Sequence, residues 1–88
     1  MIERLTVPAD PEMALRDDGL DPSPWSAGPR TRFADHSHAR AKRLFVVRGS
    51  ISFNGEWLQA PAAIRIPAGL EHSALVGDSG VDCVEGFE

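Results

Sequence analysis

From Arg30 onward the chain reads as short, closely spaced β segments separated by turn residues. Arg32–His38 alternates between apolar and polar positions, Leu44–Arg48 is rich in β-formers, and Ser50–Phe53 continues that pattern. Asn54-Gly55 then separates Ser-Ile-Ser-Phe from Glu-Trp-Leu-Gln. Both residues readily take the left-handed conformation that a type I′ turn requires, so this is the strongest hairpin signal in the chain. Ala62–Ile66 is a further strand closed by Pro67-Ala68-Gly69, and His72–Val76 follows. The turn residues Gly77-Asp78-Ser79-Gly80 then lead into Val81–Phe87. Six or seven strands at this spacing predict an all-β antiparallel sandwich or barrel.

The first third differs. Residues 1–29 hold five of the seven prolines and few strand formers. Met1–Val7 reads as a short strand ended by Pro8. Asp10-Pro11-Glu12 is a helix start, because Asp caps free backbone N–H groups and Pro suits the first helical position. Gly19 is the matching stop. Asp21–Pro29 is irregular by composition, with Trp25 as its one large apolar anchor. The expected organisation is one domain: an arm of strand, helix and irregular chain over 1–29, and a barrel over 30–88.

Size and charge narrow the function classes. At 88 residues the chain buries only about 60–65% of its unfolded surface, so a partner copy would support the core. A single Cys excludes an internal disulfide and a Cys-rich zinc framework. The net charge of −4 argues against nucleic acid, which rewards a basic surface. No apolar run approaches the ~18 residues of a membrane span, and MIERLTVPADPE lacks a signal-peptide core. The expected location is therefore cytoplasmic, with no membrane partner.

The three histidines are the main chemical clue. His36 and His38 are two apart, and on a strand residues i and i+2 face the same way. His72 opens a later strand just after a tight Pro-x-Gly turn. If that strand faces the first, three neutral imidazoles converge, a set suited to a divalent Fe, Mn, Zn, Ni or Cu ion. On an exposed strand, a His-x-His pair alone more often faces solvent.

Two motifs carry a family resemblance. His36-Ser37-His38 is followed by three residues, Lys42, six residues and Gly49. Pro61 is followed by five residues, Pro67-Ala68-Gly69, two residues, His72, three residues and Val76. In this spacing the chain resembles the cupin superfamily. The stretch around Trp25, through Lys42 and the Gly49–Phe53 segment, to Gly80–Glu85 also resembles a group of small single-domain bacterial cupins. The resemblance implies a small jelly-roll β-barrel with a short N-terminal helix. It places His36, His38 and His72 on the family's metal-ligand positions, with divalent Fe, Mn, Zn or Ni as the cofactor. The departures are Lys42 in place of the usual carboxylate ligand, Pro61 in place of Gly and Val76 in place of Asn.

Lys42 shares a face with Leu44 and Val46, which in the cupin register lines the interior. At ~4 Å and an effective dielectric of ~20, two unit charges interact by about 4 kcal/mol, and a dication doubles that. An ammonium there must lose its proton, bend away or pair with an anion. On the last strand Val81, Cys83, Glu85 and Phe87 share the more apolar face, which places Glu85 inside. A Lys42–Glu85 ion pair answers both problems and is the preferred reading. Alternatively, Lys42 holds a substrate carboxylate or acts as a base. By parity Cys83 lies beside this pair, as a small hydrophobe, a fourth ligand or a redox thiol. Glu85 is a second candidate for the missing ligand.

Arg30 and Arg32 alternate in phase with His36 and His38, which makes them candidates for gripping a carboxylate or phosphate at the barrel mouth. Trp25 and Trp57 read as core or interface anchors. Three functions compete. The first is a small-molecule-binding cupin with a three-histidine metal site, its reaction and enzyme status open. The second is a metal-free, non-catalytic sensor of a small anionic metabolite. The third is a structural dimer with a vestigial site. A homodimer is expected in each case, resting on covered strand edges.

Overall fold

Two long strands organise the protein, seen here in a computed structural model describing residues 1–88. The elements are β1 (Glu3–Arg4), α1 (Pro11–Asp17), β2 (Ser23–Ala27), β3 (Arg32–His36), β4 (Lys42–Phe53), β5 (Glu56–Gln59), β6 (Ala62–Ile66) and β7 (His72–Phe87). All pairings are antiparallel, in one 7-stranded sheet with the path β1-β6-β4-β7-β2; β3 also pairs with β7, and β5 with β4.

The hairpin signal is realised. Asn54 and Gly55 have φ of 51° and 84°, and Phe53 stands opposite Glu56. Asp10 caps α1, its side chain accepting from the Met13 N–H at 3.1 Å, and Pro11 opens the helix. Past the helix end the Leu20 N–H reaches back to the Leu15 carbonyl, and Gly19 takes φ 79°.

Three local expectations change. Met1–Val7 yields only the short strand β1, paired to β6. The stretch 21–29, expected to be irregular, contains β2, which is laid along β7 with Trp25 opposite Cys83. Its one proline, Pro24, does not exclude it because it lies at the end of the sheet path, where a missing N–H is tolerated. Gly77–Gly80, expected as a turn between two strands, lies within the single 16-residue strand β7. The turn residues act there as a break in register. The β4–β7 partners jump from Gly49↔Val81 to Ile51↔Val76. Gly49, at φ 81°, lies against the Gly80 carbonyl, in the space a Cβ would occupy. These bulges re-aim the two long strands, so each serves both ends of the rolled sheet.

The two faces of the sheet are buried against different things. The inner face holds the main core, including Leu44, Val46, Ile51, Ile64, Ile66 and Val76. The outer face carries a smaller cluster, in which fully buried Leu15 of α1 packs on Phe45, Ala63 and Val84. This outer cover explains why β4, β6 and β7 are apolar on both sides. It is held down by charge as well. Arg65 grips Glu88 with two bonds of 2.9 Å and also reaches Glu3; Arg43 bonds Glu88 and Asp18. No helix is long and apolar enough to cross a membrane.

Candidate metal centre

The end of β3 and the start of β7 build the site. His36 and His72 are direct partners across that ladder, and His38 follows two residues after His36. Ring centroids lie 4.3 Å apart for His36 and His72, 4.8 Å for His36 and His38, and 5.2 Å for His38 and His72. One nitrogen from each ring falls within 4.8 Å of the others. His38 lies beyond the last residue of β3, so the pair is not carried by one regular strand.

Hydrogen bonding fixes how the rings are presented. His36 Nδ1 lies 2.8 Å from the Ala34 carbonyl and His72 Nδ1 lies 3.0 Å from that of Leu70. A carbonyl oxygen only accepts, so each Nδ1 carries the proton and donates it. In a neutral ring Nε2 is then the lone-pair nitrogen. Backbone bonds of this kind are what orient metal-ligating imidazoles. Burial lowers the His38 pKa below its ordinary 6.5, helped by the charge of Lys42. Burial lowers that of His72 too, against the opposing effect of the Leu70 hydrogen bond. Both rings are thereby kept neutral, the form a metal needs.

The fit to a metal rests on two atoms. Nε2 of His38 and Nε2 of His72 are buried without any hydrogen-bond partner. Buried polar atoms are seldom left unpaired, because each costs about 1–3 kcal/mol. Two such nitrogens within one histidine trio are lone pairs that a shared metal ion would satisfy. The three residues therefore suit a divalent transition metal.

Next to the histidines is a cavity of about 250 Å³, lined by Trp25, Phe33, His36, Lys42, Ile51, Phe53, His72, Ala74 and Glu85. Lys42 Nζ lies 3.2 Å from Glu85 Oε1, with side chains only 9% and 15% exposed. Trp25 Nε1 donates to the same oxygen at 2.8 Å. Trp25 also packs edge-on against Phe33, at 5.8 Å between centroids. Lys42 Nζ and the His38 ring both lie against Phe87, at 5.7 and 5.4 Å from its centroid.

Other candidate residues sit elsewhere. Cys83 is buried in the main core, lines no part of the cavity and is not in the histidine group. Burial pushes its thiol up to about 12, so it is not a ready nucleophile. Glu85 is also outside the histidine group. Arg30 and Arg32 do not line the cavity. The register shift between Phe33 and His36 breaks the alternation that had aligned them with the histidines. Phe33 faces the cavity instead; Arg32 is exposed, and Arg30 reaches Asp78 on the surface. Sequence reasoning missed Trp25 and Phe33 as site residues. The only available signal was that Trp25 is the one large apolar residue in its stretch.

No family model and no curated protein matches the sequence. Solved structures match its fold. A chain in the crystal structure of Rhodobacter sphaeroides SigE in complex with the anti-sigma ChrR superposes with a TM-score of 0.71, over 99% of this chain, at 12% identity. This chain spans 44% of the length of that one. KdgF from Halomonas sp. superposes with a TM-score of 0.61, over 98% of this chain and 79% of its own, at 20% identity. At these identities the likeness establishes fold alone, and the fold is cupin-like.

Proposed function

We propose that this chain is a small-molecule-binding cupin that holds one divalent transition-metal ion on His36, His38 and His72. The observation that carries the reading is the pair of buried, unpartnered Nε2 atoms on His38 and His72. The Ala34 and Leu70 carbonyls support it by fixing the tautomers of His36 and His72. Three protein ligands leave coordination positions open, as in catalytic rather than closed structural sites. When bound, the metal supplies a Lewis-acid centre for an oxygen-bearing ligand.

The chain's own residues do the rest. The histidines present lone pairs, and burial favours the neutral form of His38 and His72. The aromatic wall of Trp25, Phe33 and Phe53 excludes water from one side of the cavity. Glu85 is held at one oxygen by both Lys42 and Trp25. The test is metal analysis by mass spectrometry on untagged protein, with His36→Ala and His72→Ala alongside. One equivalent of metal in the parent and none in either variant is expected. A metal-free parent that remains so after incubation with Zn(II), Mn(II), Fe(II) and Ni(II) overturns the reading.

A further inference from the structure

The cavity lining divides by chemistry. Trp25, Phe33, Ile51, Phe53 and Ala74 are apolar, whereas His36, His72, Lys42 and Glu85 are polar. Within the polar side, Lys42 and Glu85 form one cation and one anion in contact and cancel. Three neutral imidazoles contribute no charge. A divalent ion on the histidines therefore leaves two positive charges uncompensated beside a wall of aromatic rings. Charge in such surroundings is costly unless an anion accompanies it.

The chain does not offer that anion. The histidine group contains no Asp or Glu. Glu85 Oε1 already accepts from both Lys42 and Trp25. Lys42, by contrast, has donors to spare. An ammonium carries three N–H groups, and Glu85 is the one acceptor this one reaches. It also lines the cavity beside the histidines. Arg30 and Arg32 take no part, since neither reaches this space. At about 250 Å³ the cavity falls below the ~300–1,000 Å³ of pockets for drug-sized ligands, which limits the occupant to a small molecule.

Resting on the metal-site reading, we infer that the cavity takes a small monocarboxylate bearing one compact apolar group. The carboxylate goes to the metal side and accepts a hydrogen bond from Lys42. The apolar group lies against Trp25, Phe33 and Phe53. The substitution of Lys for a carboxylate ligand thus moves the negative charge of the site from the protein to its ligand.

The experiment uses calorimetry on untagged protein, whose Zn(II) stoichiometry is measured first. Benzoate is the probe, with benzamide as its neutral counterpart and acetate as its counterpart without a ring. Benzoate is expected to bind the Zn(II)-loaded protein at least about tenfold more tightly than either, a difference of ~1.4 kcal/mol. It is expected to bind the metal-free protein at least about tenfold more weakly. The double variant Lys42→Met/Glu85→Gln is expected to keep its Zn(II) stoichiometry and lose about tenfold in benzoate affinity. Gln retains an acceptor for Trp25, so the comparison does not depend on a collapsed pocket. Equal affinity for benzoate and benzamide overturns the inference, as does unchanged benzoate binding in the double variant. Failure to take up Zn(II) defeats the metal-site reading itself, so the two failures are told apart by the first measurement.

Discussion

His36 stands directly opposite His72 in the β3–β7 ladder, and their rings are 4.3 Å apart. Two imidazoles 36 positions apart in sequence are thus brought side by side by strand register. A one-residue slip of β3 would carry His36 to the other face of the sheet. The site is therefore as stable as this ladder, and several outcomes follow from how it is built.

The metal-free protein is expected to lose stability as pH falls below 6.5. Burial lowers the pKa of His38 and His72 from 6.5, so the unfolded chain binds protons that the folded one refuses. Their contribution is complete above 6.5 and disappears as pH drops through the lower folded values. Urea midpoints measured from pH 8 to pH 5 should show this slope, and His72→Gln should flatten it. An unchanged slope in that variant would contradict the assignment.

A second, separate limb belongs to Glu88. Hydrogen bonds from Arg65, and then from Arg43, hold its carboxyl down to about 2. The folded value is depressed, so the stabilisation is present above the ordinary 4.5 and fades toward pH 2. Glu88→Gln should remove this limb and leave the histidine limb intact. The group is partly exposed, so added salt should weaken the effect.

Breaking the Lys42–Glu85 pair from one side should cost more than removing both charges. Lys42→Met leaves Glu85 charged and mostly out of water, an expected loss of about 3–5 kcal/mol. Lys42→Met/Glu85→Gln should recover most of that loss, since a buried pair replaced by neutral groups is often near neutral overall. Chemical denaturation of the two variants decides the point.

The short helix should matter beyond its length. Leu15 is fully buried between α1 and the outer face of the sheet. Leu15→Ala should cost about 2–5 kcal/mol. Removing the Asp10 cap by Asp10→Ala should cost about 0.5–2 kcal/mol. Equilibrium unfolding measures both.

Cys83 should be inert in the folded protein. Burial holds its thiol near 12, far from the thiolate that reacts. At pH 8 a thiol reagent should label it only after denaturant is added. Fast labelling of the native protein would show the core to be open at that point.

Much of the local structure was legible because its causes are local. The left-handed pair Asn54-Gly55, the capping Asp10 before Pro11, and the alternation of Val81, Cys83 and Glu85 each depend on near neighbours. The spacing of His36, His38 and His72 carried the resemblance to cupins in the same way. The strand at Ser23–Ala27 was not legible, because it depends on the edge that β7 offers to a proline-containing segment. The phase of Arg32 failed for a related reason. Alternation along a strand holds only while the register is unbroken, and the bulge before His36 breaks it.

By itself, the sequence determined an antiparallel β fold, the Asn54-Gly55 turn that closes one hairpin and three histidines spaced to meet. Side-chain period and turn conformation are properties of neighbouring residues, and they survive without knowledge of the whole. Only the tertiary structure decided which groups share the cavity. It set Glu85 under both Lys42 and Trp25, turned Phe33 inward and Arg32 out, and left two imidazole nitrogens buried without a partner. Those relations depend on register, bulges and burial between strands far apart in the chain, where one residue of slip exchanges the inside for the outside.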